Sequence, residues 1–171
     1  MISSTINSTY STPIGIGHFN FDMDEQLQQV LQKVYQHYAQ TLMQEENAQT
    51  YLKSRGINEQ SIKRFHLGYC NRTLPQKMPK RYNKPDQLKT TGVIKPTGHE
   101  IFRGSITIPV WQQDEVVGGY GRRLTDIVSV NSTAYPFHLI DENAFFNQDA
   151  VGAHKALVLT KSPLEAISLI Q

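Results

Sequence analysis

Two basic clusters set among glycines have residue types and spacing that could do chemistry. Arg103 stands in FRGSITIP, and the pair Arg122 and Arg123 closes GGYGRRL. A guanidinium presents a fork of donors that matches a phosphate. Gly118, Gly119 and Gly121 beside the pair let backbone approach closely or bulge. Phosphate binding is therefore the chemistry on offer. The same pattern also fits a sharp sheet bend with solvated arginines, and on composition alone that is the stronger reading. Lys77, Lys80, Arg81 and Lys84 crowd the segment TLPQKMPKRYNKPDQ. They fit a solvated loop as well as a surface for backbone phosphates. The GGYG string is no dinucleotide fingerprint, because no helix pattern follows it.

Other chemistries find little footing. The six histidines are scattered, with no H-x-x-x-H pair and no accompanying carboxylate cluster, so none reads as a metal ligand. There is no G-x-S-x-G elbow for a serine nucleophile. The single cysteine, Cys70, excludes an internal disulfide and a four-cysteine zinc site.

The elements that must position these residues follow from periodicity and breakers. Residues 1–22 are rich in Ser, Thr, Asn and Gly without period and read as a flexible arm. Asp22 or Asp24 can cap a helix whose stripe is Leu27, Val30, Leu31, Val34, Tyr35, Tyr38 and Leu42. A second helix is expected over Asn47 to Arg55, stopped by Gly56. A short third is expected in NEQSIKRF, capped by Asn58. The proline- and lysine-rich segment reads as loop, with one short helix at Asp86 to Thr90. From Gly92 onward GVIKP, HEIFRG, SITIPVW and EVVGGYG, with the turn QQDE, predict three to five short antiparallel strands. Residues 125–136 read as loop, FHLI as one more strand, and Asn143 to Val151 as a helix or helical turn. In LVLTKSPLEAISL, LVLT reads as a buried strand, KSP as a turn, and LEAISL as the start of a helix.

The chain has 171 residues, 39% hydrophobic and 19% charged, with net charge +2. That suits one domain, or one domain plus part of another. The mild basicity points to a nucleic-acid partner only if the basic residues cluster. No apolar run approaches the roughly 20 residues of a membrane span. The N-terminus has neither basic region nor apolar core of a signal peptide. The expectation is a cytoplasmic protein without a membrane partner.

The order of three strings resembles the catalytic core of bacterial-type DNA primases. YLKSRGINEQSIKRFHLGY and FRGSITIPVWQQDEVVGGYGRRL are similar to its N-terminal subdomain, and LVLTKSPLEAISL to the opening strand and helix of its Toprim domain. FHLIDENAFFNQDAV is closer to the primase-like proteins of plasmids and phages. The resemblance implies an α+β fold: N-terminal helices, a small bent antiparallel sheet, then an incomplete α/β strand–helix unit. It implies a core over residues 23–150 and a truncated or degenerate Toprim start over 151–171. It also implies that Arg103, Arg122 and Arg123 contact single-stranded DNA, with the Lys77 to Lys84 loop beside them. Lys63 and Arg64 match basic family positions that serve either packing or the surface.

The departures matter as much. The Toprim strand ordinarily ends in a glutamate, and here Lys161 stands at that position, with Ser162 after it and Glu165 where an aspartate would be. An ammonium has no lone pair for Mg²⁺ and repels it. The family's later aspartates and its zinc ribbon have no counterpart in this sequence. The expectation is a primase-like domain of a mobile-element or phage replication protein. It would bind single-stranded DNA, pair with a helicase or other replication protein, hold no cofactor of its own, and not synthesise primers alone. The alternatives are a protein-interaction module that docks on or inhibits a replication enzyme, and an active primase whose longer chain was cut.

Overall fold

The computed structural model describes residues 25–124, 135–139 and 143–171. The expected arm at 1–22, the caps Asp22 and Asp24, and most of the expected 125–136 loop lie outside the described residues. The first helix, α1, spans Glu25–Leu42 and buries Val30, Leu31, Val34, Tyr35, Tyr38, Thr41 and Leu42. That stripe recurs every three or four residues, the spacing of one helix face. The next helices are α2 (Glu46–Ser54) and α3 (Glu59–Arg64). Gly56 between them has φ +75°, a left-handed stop that costs other residues strain. Asn58 Oδ1 accepts the Ser61 N–H at 2.7 Å and caps α3, satisfying one of the donors a helix leaves open at its start.

Four strands form one antiparallel sheet in sequence order: β1 (Gly68–Tyr69), β2 (Ser105–Gln112), β3 (Glu115–Arg123) and β4 (Phe137–Leu139). The helices α4 (Leu74–Lys77) and α5 (Pro85–Thr90) lie between β1 and β2. The sequence reading lacked α4 and β1. Both are too short to show a period, and tertiary packing makes them. Gly68 and Tyr69 are strand because Thr107 and Ile106 stand opposite them. Conversely, GVIKP and HEIFRG form no strand and meet only through the bridge Ile94↔Glu100. β2 and β3 are joined by Gln113 and Asp114, with φ +49° and +66°. Positive φ at both positions of a two-residue loop is the hairpin geometry that matches strand twist. A bulge interrupts the pair at Val110/Trp111, where Gly118 takes φ +141°.

The sheet separates two clusters. On one side α1 joins Cys70, Leu74, Met78, Leu88, Val93, Phe102 and Val116. On the other, Ile106 and Ile108 pack with Leu52, Ile57, Phe65, Leu67, Leu164 and Ile167. The last two belong to α6, Pro163–Ile170; burying each contributes about 2 kcal/mol. The side chain of Gln171 also bridges back, its Oε1 accepting the Asn58 N–H at 3.2 Å and the Ser61 hydroxyl at 3.1 Å. The expected helix or turn at 143–151 is a single 3₁₀ turn, Gln148–Ala150. The expected strand at 157–160 is not one. These residues pair with no described strand, and Val158 and Leu159 are 78% and 94% exposed. Strand geometry needs a neighbouring ladder, and none of the described residues supplies it here.

Candidate nucleic-acid interface

Three chain segments meet at one end of the sheet. Gly104 N–H donates to the Cys70 carbonyl at 2.7 Å, and Leu124 N–H donates to the Gly104 carbonyl at 3.0 Å. Arg103 therefore sits at the entry to β2, beside the exit of β3, where Ser105 stands opposite Arg123. Arg72 comes to the same end, its Nη2 4.0 Å from where a Cβ on Gly104 would stand. Arg72 is exposed, and Arg103 and Arg123 are half-buried. Arg72 was not singled out from the sequence, because only the pairing of β1 with β2 brings it here.

A buried polar knot holds the foot of this end. Glu100 Oε2 accepts the Tyr38 hydroxyl at 2.9 Å and the Cys70 thiol at 2.8 Å. Burial, then the neighbouring carboxyl and its hydrogen bond, push the Cys70 thiol up, so it stays a donor. Burial first, with Cys70 and Glu100 after it, does the same to Tyr38. The knot ties α1 to β1 and to the turn carrying Arg103, whose N–H reaches the Glu100 carbonyl at 3.4 Å. Next to it, His37 Nε2 lies 3.5 Å from the Thr41 hydroxyl and 3.3 Å from that of Thr73. Burial lowers its pKa from the usual 6.5, with Glu100 pulling up and Lys77 pushing down.

Arg122 points the other way, as alternation along a strand requires. It stands opposite Ile106, its Nε donates to the Tyr51 hydroxyl at 3.2 Å, and its guanidinium lies 4.6 Å from the Tyr135 ring centre. The lysine-rich segment belongs to the α1 side, because Leu74, Met78 and Leu88 sink into the cluster under α1. Lys77 ends α4, Lys84 precedes α5, and Lys77, Lys80, Arg81 and Lys84 are all exposed. Arg81 lies over the Tyr82 ring at 4.5 Å. The structure thus brings Arg103 and Arg123 together, adds Arg72, sets Arg122 on the opposite face, and hangs the four loop cations from the α1 layer.

Lys161 and Glu165 have structural roles at the head of α6. Ser162 Oγ accepts the Glu165 N–H at 3.4 Å, and Glu165 Oε2 accepts the Lys161 N–H at 3.0 Å. This is the reciprocal arrangement of a capping box, shifted by one residue. Among the described residues no three of His, Cys, Asp and Glu converge as a metal site would require. With an ammonium at 161 and Glu165 capping a helix, the described residues at this head offer no cluster of acids that would suit Mg²⁺. Beside this head an open groove of about 740 Å³ is lined in part by Arg64, Phe145, Leu157, Val158, Leu159 and Lys161.

Residues 35–147 match the family of DNA primase catalytic core, N-terminal domains. The chain is 28% identical over 109 residues to the DNA primase of Aquifex aeolicus (strain VF5), covering 60% of this chain and 22% of that one. It is 25% identical over 112 residues to the DNA primase of Buchnera aphidicola subsp. Baizongia pistaciae (strain Bp), covering 61% and 19%. The match thus spans about a fifth of either relative. A crystal structure of the Aquifex aeolicus primase zinc-binding and RNA polymerase domains superposes with TM-score 0.59 at 26% identity, covering 71% of this chain and 31% of that one. The RNA polymerase domain of the Mycobacterium tuberculosis primase, in complex with double-stranded DNA bearing a 6-nucleotide overhang, shares the fold. It has TM-score 0.58 at 22% identity and covers 67% and 38%.

Proposed function

The chain belongs to the DNA primase catalytic core, N-terminal domain family, and from that premise we propose that it holds single-stranded DNA template for a replication protein of primase type. The observation that carries this is the convergence of Arg72, Arg103 and Arg123 where β1, β2 and β3 meet, on a fold shared with primase domains solved on DNA. Phosphate contacts from clustered arginines give binding that weakens as salt rises. The exposed cations from Lys77 to Lys84 extend that surface on the α1 side.

The string LVLTKSPLEAISL is the start of a Toprim-like unit in this reading. Its support is the order of the string after the core and the apolar Val158 and Leu159 left exposed. Lys161 in place of the acid makes primer synthesis by this chain alone unexpected, and Mg²⁺ is not its own cofactor. FHLIDENAFFNQDAV supports a plasmid- or phage-borne variety. A helicase or other replication protein is the partner class.

Fluorescence anisotropy of the native chain with a labelled single strand, titrated across salt, tests the reading. Arg103→Ala with Arg123→Ala is expected to weaken binding at least tenfold and to flatten the salt dependence by about two units of log–log slope. Salt-insensitive binding, or none, overturns it. A second reading, docking on or inhibition of a replication enzyme, is favoured by the apolar side of the 740 Å³ groove. In that case Leu159→Asp abolishes inhibition of the enzyme and leaves DNA affinity unchanged.

A further inference from the structure

Two residues take the left-handed conformation where the end of β1 meets the entry to β2: Gly104 with φ +70° and Arg72 with φ +72°. Glycine adopts it at no steric cost, whereas the Cβ of an arginine crowds the backbone there. We propose that the buried Glu100–Cys70 pair and Asn71 hold Arg72 in this strained turn so that its guanidinium is preset over Gly104 to grip a phosphate of the strand. The inference deepens the nucleic-acid reading and rests on it.

The turn is held from both sides. On the buried side the Cys70 thiol donates to Glu100 Oε2 at 2.8 Å, which leaves the sulfur to accept the Arg72 N–H. The Cys70 backbone is fixed as well. Its N–H donates to the Ser105 carbonyl at 3.0 Å, and its carbonyl accepts the Gly104 N–H at 2.7 Å. On the outer side Asn71 Oδ1 accepts the Thr73 N–H at 3.2 Å and the Thr73 hydroxyl at 2.6 Å. Asn71 Nδ2 donates to Glu45 Oε1 at 2.8 Å, so the carboxylate at this turn is tied to the amide.

What the strain sustains is a charge in a set place. Arg72 is exposed, and its Nη2 lies 4.0 Å from where a Cβ on Gly104 would stand, one residue beyond Arg103. Strained residues persist where their surroundings over-determine them, and they gather at ligand clamps. A guanidinium fixed before binding loses less freedom when the phosphate arrives. Asn71, Cys70 and Glu100 touch no phosphate in this arrangement. They are positioning residues that act through Arg72.

The test uses the native chain and a labelled oligothymidylate of about ten nucleotides, with affinity read by anisotropy across salt and stability by thermal melting. Arg72→Gly should weaken binding about tenfold and remove about one unit of log–log salt slope. It should nonetheless melt about 2 °C or more above Arg72→Ala, because only glycine relieves the strain. Arg72 is exposed, so far-ultraviolet circular dichroism of both variants should match the native chain. Asn71→Ala should weaken binding about threefold with the salt slope unchanged, and should cost no further affinity when combined with Arg72→Gly. Cys70→Ala should behave in the same way, and Cys70→Ser, which keeps a donor and an acceptor, should restore binding. The inference is overturned by Arg72→Gly binding like the native chain, by Arg72→Ala melting as high as Arg72→Gly, or by positioning variants whose effect is absent or undiminished beside Arg72→Gly. If any of these happens while Arg103→Ala with Arg123→Ala still weakens binding, the preset turn falls and the nucleic-acid reading stands. If the native chain binds no strand, both fall.

Discussion

The two faces of the sheet differ in what they offer a neighbour. Toward α1 the strands present Gly68, Thr107, Gly119 and Gly121, and the helix settles so close that Tyr38 backbone lies against Gly68 and the Tyr35 hydroxyl against Gly119. On the other face the same strands present Ile106, Ile108, Tyr120 and Arg122. There α6 covers Ile106 and Ile108 but stops short of Tyr120 and Arg122, which line an open cavity of about 220 Å³. Small residues buy close approach and leave no room for a ligand. Large ones hold the covering helix off at one end and leave a cleft lined by rings and charge. One sheet is thus sealed by a helix on one side and left partly open on the other.

The sharpest way to break the comparison is to add or remove a side chain on each face. A Cβ on Gly68 would stand 2.6 Å from the Tyr38 backbone, and one on Gly119 would strike the Tyr35 hydroxyl and the Ile108 carbonyl. Gly68→Ala or Gly119→Ala should each cost about 3 kcal/mol in urea denaturation, because backbone cannot yield as a side-chain tip can. Phe137→Ala, a larger change on the open face, should stay within about 0.5 kcal/mol of native stability. Equal losses on the two faces would erase the distinction.

A smaller effect probes the knot behind the sealed face. Glu100→Ala leaves the Tyr38 hydroxyl and Cys70 thiol buried without their acceptor, an expected loss of about 2 kcal/mol. Glu100→Gln, which keeps an acceptor, should recover part of it. The smallest effect is a pH dependence. His138 faces the α1 side beside Gly119, and burial lowers its pKa below 6.5. The unfolded chain then takes up the proton first. Stability should be complete above pH 6.5, fall as pH drops through the lower folded value, and fall less in His138→Gln, read from denaturation midpoints between about pH 7 and 5. His37, lowered by burial in the same direction, should keep a residual slope in that variant.

Periodicity and caps made much of this legible beforehand. The α1 stripe, the Asn58 cap, the Gly56 stop, the QQDE turn and the opposed directions of Arg122 and Arg123 each depend on neighbours within a few residues. The cavity on the open face was not legible. Tyr135 and Phe137 show a two-residue spacing, but nothing local says that they will meet Tyr120 and Arg122. The misplaced strand at 157–160 is the same lesson reversed: a β-branched apolar run has strand propensity, yet without a ladder beside it no strand forms.

What the sequence by itself determined is whatever a single helix turn, cap or hairpin can decide, together with the ordered strings that mark the primase core family. Only the tertiary structure decided which cations share a surface. Arg72 joins Arg103 through pairing of β1 with β2, Arg122 and Arg123 part across the sheet, and Lys161 comes to the aromatic edge of β4 through the seating of α6. The reason is physical. Local rules act through bonds and one helical turn, whereas charges and rings far apart in the chain meet only when apolar burial folds it over itself.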